Sequence, residues 1–234
     1  QKIQIENFNL FRNDSEISIN GIFSQYGNQD LVLELKKIKG FEVGFEVLEL
    51  SPDNIIDGDL NVTAKITGLL NDPQFSVLLT ADNIAYQNKK FGSLKSEINY
   101  KQKRLISNIV FLEDLESKNE RLKIYGNIPI NFGLNVSGNR LVNGEKVDIT
   151  ILADQFDLSA MGNVFPFVDE LRGILNSNIS ISGNIGEKIV RTGSLNIREA
   201  SFLLEQNNLN YNAGLVLRLD DNHIFVDSFV VKNL

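Results

Sequence analysis

DGDLNVTAKITGLLNDPQFSVLLTAD, residues 57–82, decides how the chain is read. Leu60, Val62, Ala64 and Ile66 alternate with Asn61, Thr63, Lys65 and Thr67, so a β-strand here has one apolar and one polar face. Gly68 ends it. Leu69-Leu70-Asn71-Asp72-Pro73 reads as a turn, because Asn and Asp close local turns while Pro fixes φ and removes a donor. A second strand follows, with Phe75, Val77, Leu79 and Ala81 on one side.

The design recurs at a fixed distance. Gly58 and Gly173 stand 115 residues apart, as do Gly68 and Gly183, and Phe41 and Phe156; Tyr86 and Phe202 are 116 apart. Three anchors in one register, each beside an alternating strand, read as an internal repeat. Its approximate copies cover 41–130 and 156–234 within one continuous body, 1–234.

Composition narrows the function classes. A net charge of −7 opposes nucleic-acid binding, which needs a clustered positive field. The densest basic stretches, Lys36-Lys37-Ile38-Lys39 and Lys101-Gln102-Lys103-Arg104, are short and read as solvated turns. The absence of cysteine excludes disulfides, thiolate metal sites and thiol nucleophiles. No run approaches the roughly 18 apolar residues of a membrane span. Gln1 is not an initiator, so the chain is expected to be processed or excised from a longer protein.

In order, Ile3 and Ile5, then Phe8 and Leu10, give a strand with a change of face around Asn7. Ile17, Ile19 and Phe23 form the next, and the Tyr26–Asp30 turn returns Leu31, Leu33 and Leu35. Phe41, Val43, Phe45 and Val47 alternate again. From Leu122 to Val136 the alternation is too long for one strand, and Pro129 and Gly133 are expected to break it. Val147, Ile149, Ile151 and Ala153 form a strand after the Asn143-Gly144 turn. Only 158–171 changes rhythm: Leu158, Met161, Val164, Phe165, Val168 and Leu171 recur at three and four, after a cap at Asp157 or Ser159. A short helix kinked at Pro166 is expected there. Strands resume to the end, about 20 segments at the usual spacing. Side by side at roughly 4.8 Å they would make an all-β rod on the order of 90 Å long.

Nothing nominates an active site. His223 sits with Asp220, Asp221 and Asn222 at a hairpin turn, without a serine or cysteine nucleophile motif or established metal-ligand spacing. Glu113, Asp114, Glu116 and Glu120 mix with Lys118, Arg121 and Lys123 as a charged loop does. An enzyme, a cofactor and a metal site are therefore not expected. What the chain has in excess is apolar face. Alternating sheets hide one side by pairing two sheets, closing a barrel or curling into a trough, and a long apolar trough is filled by an acyl chain.

FDLSAMGNVFPFVDELRGILNSNISISGNI, from Phe156 to Ile185, together with GDLNVTAKITGLLNDPQF, from Gly58 to Phe75, resembles the recurring unit of TamB-type and AsmA-like bacterial envelope proteins. The shared features are a short helical segment ending in glycine, a strand between two glycines, and a turn holding Asn-Asp-Pro. Pro73 is in place in the first copy, whereas Gly183-Asn184-Ile185-Gly186 lacks the proline. The resemblance covers about Phe41 to Leu234. It implies an elongated, curled antiparallel sheet, a U-shaped β-groove with an apolar lumen. It places that groove in the periplasm of a Gram-negative cell, between inner and outer membranes. Phospholipid acyl chains would be its cargo, a TamA/BamA-like outer-membrane barrel its partner, and membrane contact would come from parts of the full-length protein outside this chain. On that reading the lumen is lined by Ile17, Ile19, Leu31, Leu33, Leu60, Val62, Ile66, Phe75, Val77, Leu79, Ile149, Ile151, Ile179, Ile181, Leu215 and Leu217. Two alternatives remain: a factor that receives nascent outer-membrane strands by strand addition, and a structural β-solenoid with a dry core.

Overall fold

A computed structural model describes residues 2–39, 56–86, 89–117, 119–161, 167–204, 206–221 and 223–233. The strands are β1 (Lys2–Arg12), β2 (Ser15–Ser24), β3 (Gln29–Lys39), β4 (Ile56–Leu69), β5 (Asp72–Tyr86), β6 (Lys89–Lys101), β7 (Arg104–Leu112), β8 (Glu120–Pro129), β9 (Lys146–Asp157), β10 (Val168–Asn184), β11 (Ile189–Leu204), β12 (Leu209–Asp221) and β13 (His223–Asn233). All thirteen belong to one antiparallel sheet in which each strand pairs with its neighbours in sequence. The sheet is curled and does not close, so β1 and β13 are its edges.

Among the described residues there are thirteen strands, against about twenty segments expected over the chain, and these strands are long: β10 has 17 residues and β11 has 16. At about 4.8 Å per strand the sheet spans roughly 58 Å, shorter than the rod the spacing rule gave. The strand expected over Phe41–Val47 lies outside the described residues.

A line of β-bulges crosses the sheet. In β1, β3, β5, β9 and β11 an extra residue takes positive φ: Asn7 (68°), Lys37 (50°), Asn83 (50°), Gln155 (50°) and Glu199 (52°). At each, two residues face one on the following strand, which bends the strand and increases its twist. Asn7 therefore does not switch the face of β1. Ile5 faces Gly21 and Phe8 faces Ile19, so the extra residue keeps both apolar side chains on one side. Lys37 likewise lies in a bulge inside β3 and not in a turn, whereas Gln102 and Lys103 do form the β6–β7 turn.

The single residue opposite a bulge is polar where the bulge needs a partner. Asn61 Oδ1 accepts from the Lys37 N–H at 3.0 Å, and Asn176 Oδ1 accepts from the Gln155 N–H at 3.0 Å. Asn20 donates to Asn7 at 3.2 Å, and the Ser93 hydroxyl donates to Asp82. The first two satisfy a backbone donor released from the ladder, and the last two tie the side chain opposite to one in the bulge. Asn61 and Asn176 stand 115 residues apart, and Gly58 and Gly173 sit at further register shifts of β4 and β10 with φ of 145° and 134°. A Cβ on Gly173 would run into the backbone and side chain of Ala200, so the close approach requires glycine.

Part of the burial lies at the bends, although Ala64, Val110 and Val147 are buried away from them. Ile38, Leu122, Ala153, Phe156 and Ala200, each beside a register shift, are at most 8% exposed. Phe156 meets Phe111 edge-on at 5.6 Å between ring centroids, and Ile124, Ile151 and Leu175 pack around the Leu122–Ala153–Phe156 cluster. This crease is the main core.

Of the helix expected over 158–171, the described residues hold one 3-10 turn, Leu158–Met161, while 162–166, with the kink expected at Pro166, lie outside the described residues. Asp157 caps it by accepting from the Ser159 N–H at 2.9 Å, and Leu158 is buried. Val168 to Leu171 already belong to β10, paired with β11, so the three-four rhythm at that end is strand.

Candidate functional site

Directly opposed residues in a sheet share a face, so register can be followed from strand to strand. One row runs Leu35, Val62, Leu79, Ser96, Ile109, Ile124, Ile151 and Ile179 across eight strands. The adjacent row on the same face runs from Ile19 through Leu33, Ala64, Val77, Ile98, Ser107, Gly126, Ile149 and Ile181 to Arg191 at the start of β11. The opposite face reads Glu34, Thr63, Leu78, Glu97, Asn108, Tyr125, Thr150 and Ser180. One face is thus mainly apolar across the sheet, interrupted by Ser96, Ser107 and Arg191, and the other is polar with isolated apolar residues.

All sixteen residues expected to line a lumen lie on the apolar face. Leu60 faces Ala81, Ile66 faces Phe75, and Leu215 and Leu217 face Ile197 and Leu195. None of the sixteen is buried: Ile66 is 38% exposed and the others are half-buried. The same face also includes Leu94, Ile98, Tyr100, Ile109, Phe111 and Ile124 of β6, β7 and β8, which the sixteen omitted. The alternation in Leu105–Leu112 and Leu122–Ile128 carried that signal.

A strap shapes one end of this face. β8 stops at Pro129, and Phe132 leaves the ladder to lie 4.9 Å from Tyr100 and 5.8 Å from Phe75, measured between ring centroids. The Tyr100 hydroxyl accepts from the Phe132 N–H at 2.9 Å, and the Leu134 N–H donates to the Leu70 carbonyl at 3.1 Å. Tyr100 is consequently buried although it stands on the open face. Between crease and strap lies the half-buried stretch that holds Val62, Leu79, Ile151 and Ile179.

Polar chemistry gathers elsewhere. A cavity of about 470 Å³ lies mostly on the polar face, among Leu78, Lys95, Glu97, Asn108 and Glu120, beside the Asp114–Ser117 loop. Asp114 organises that loop by accepting from the N–H groups of Glu116 and Ser117 at 2.8 and 2.7 Å. His223 faces Asp220 across the β12–β13 turn, while Asp221 binds Lys188 at 2.5 Å. Among the described residues no three acidic, His or Cys side chains gather as metal ligands. Arg218 grips Asp227 with two bonds, 2.6 and 2.8 Å, which holds the carboxyl below its usual range and raises the guanidinium. Glu34 and Glu16 raise Lys36 in the same way. These pairs lie on exposed surface. None lies in the apolar row traced from Leu35 to Ile179, which carries no charge.

No family model, curated protein or solved structure matches the chain.

Proposed function

We propose that the chain is a segment of a bridge-like lipid carrier, whose apolar face shields phospholipid acyl chains while they cross the periplasm between inner and outer membranes. The observation that carries this reading is an apolar face continuous over the sheet and left half-exposed at all sixteen lumen positions. A sheet stabilised for its own sake would cover such a surface, since burial is worth about 25 cal/mol per Å². A lipid has the matching need. Removing a 16-carbon chain from water is worth about 0.8 kcal/mol per CH₂, roughly 12 kcal/mol, so an acyl chain does not cross water unaided. A lumen of Ile, Leu, Val and Phe replaces the bilayer interior at nearly equal free energy, which lets the chain enter and leave. The reading needs no chemical step and no cofactor. The half-exposure counts against a dry solenoid core.

The test is binding of a fluorescent phospholipid offered in vesicles. Val62→Asp and Ile179→Asp place a charge in the lumen and are expected to abolish binding while the strand circular dichroism persists. Thr63→Asp and Thr150→Asp, on the opposite face, are expected to bind as the parent does. Equal binding by folded lumen and outer-face variants would refute the proposal.

A further inference from the structure

In the two rows traced across the apolar face, every residue is apolar, glycine or serine except Arg191, which is exposed on β11 opposite Ile181. On its other side Arg191 faces Asp221 of β12, the carboxylate best placed to pair with it. Asp221 is taken instead by Lys188, at 2.5 Å. Among the described residues Arg191 itself has no ion-pair or hydrogen-bond partner. Lys188 and Asp221 cancel, so the charge of Arg191 stands uncompensated in a chain whose net charge is −7. On a surface that replaces the bilayer interior, a lone charge marks a place where a counter-charge arrives.

The surroundings of Arg191 on this face are apolar. Toward the crease β11 continues with Gly193 and Leu195, β10 contributes Ile179 and Ile181, and β12 contributes Leu219. Gly193 faces Ile179 on one side and Leu219 on the other and puts no side chain between them. Its φ of 125° and the approach of the Asn178 carbonyl admit only glycine there, so the gap beside the arginine is fixed by the backbone.

We propose that Arg191 holds the phosphate of a lipid whose acyl chain lies over Gly193 and runs toward the crease. The proposal rests on the reading of this face as a lipid carrier, and adds to it the headgroup chemistry and the orientation of the cargo. Arginine suits the task. Its aliphatic stem lies along apolar surface while the head stays in water at the mouth of the groove. The guanidinium is always charged, and its planar fork offers two parallel N–H groups to two phosphate oxygens. A neutral lipid with the same acyl chains gains the apolar contact alone.

A short-chain fluorescent phosphatidic acid and the diacylglycerol with the same chains, each offered below its micellar concentration, test the site. The parent chain is expected to bind the phosphatidic acid about tenfold more tightly, the scale of a charge-assisted hydrogen-bonded pair. Arg191→Gln is expected to lower the phosphatidic acid to the affinity of the diacylglycerol and to leave the diacylglycerol unchanged, with the strand circular dichroism retained. Arg198→Gln removes the same charge from the outer face of the same strand and is expected to bind both lipids as the parent does. Inorganic phosphate at the concentration of the lipid is not expected to compete. The preference of the parent and the phosphate competition need no variant, so they stand even if Arg191→Gln fails to fold. Equal affinity of the parent for the two lipids, an unchanged preference in folded Arg191→Gln, or the same loss in Arg198→Gln would overturn the phosphate site and leave the carrier reading intact. Displacement by inorganic phosphate would assign the site to the free anion and overturn the lipid assignment. Binding of neither lipid would overturn the carrier reading and this proposal with it.

Discussion

The crease and the open stretch beside it are made of the same kinds of residue and are buried to different degrees. Phe156 and Leu122 at the crease are 4% and 5% exposed, whereas Val62, Leu79 and Ile179, elsewhere on the same face, are half-buried. The difference comes from the bulges. Where an extra residue bends the strand, side chains converge and a core forms; where the strands run straight, the apolar face has no second layer. Fold stability is therefore concentrated along the crease, and the rest of the face is free to take a ligand.

Truncation separates the two regions. Phe156→Ala is expected to cost about 3–5 kcal/mol in urea unfolding, as a buried aromatic lost from a packed cluster does. Ile179→Ala removes a half-buried side chain and is expected to cost about 1 kcal/mol. Similar losses at both would erase the distinction.

The bulges themselves can be weakened. Asn176→Ala leaves the Gln155 N–H without its acceptor and is expected to cost about 1 kcal/mol, with faster amide exchange confined to β9 and β10 near the bend. An unchanged exchange pattern would mean that the polar residue opposite the bulge does not hold it.

The smallest effect is expected at the β13 edge. The Asp227 carboxyl is depressed by Arg218, so the pair stabilises the fold above the unfolded carboxylate range, near 3.9, and that contribution is lost as the pH falls below it. Amide exchange in β12 and β13 is expected to rise on acidification through that range, with β9 and β10 at the crease little affected. Arg218→Gln should remove this pH dependence.

The period-two alternation makes the sheet and its apolar face legible, and the sixteen residues expected in a lumen fall on that face because each belongs to an uninterrupted run of alternation. What alternation concealed was the bulges. The three-residue step from Ile5 to Phe8 looks like a change of face, and the same step recurs from Leu35 to Ile38, Ala81 to Ile84, Ala153 to Phe156 and Ile197 to Ala200. The residue just before the last of each step is Asn, Lys, Asn, Gln or Glu, and it takes positive φ. That spacing, with a single polar residue opposite it on the next strand at four of the five and Gly214 at the fifth, is the signal that locates the crease. Val168 to Leu171 are strand where a helix is expected for a related reason: apolar residues three and four apart describe a helix and also a strand interrupted by register shifts, and Arg172 and Gly173 mark two of those shifts. The strap is legible only as a break at Pro129 and Gly133, because its anchor depends on Phe75 and Tyr100, which are distant in sequence.

The central claim, that the open face holds lipid, is tested most directly by native mass spectrometry with lipid extraction on the chain purified from a Gram-negative host. Co-purifying phospholipid is expected on the parent chain and absent from a folded Ile179→Asp variant. A clean apo mass for the parent, or phospholipid retained equally by the variant, would contradict it.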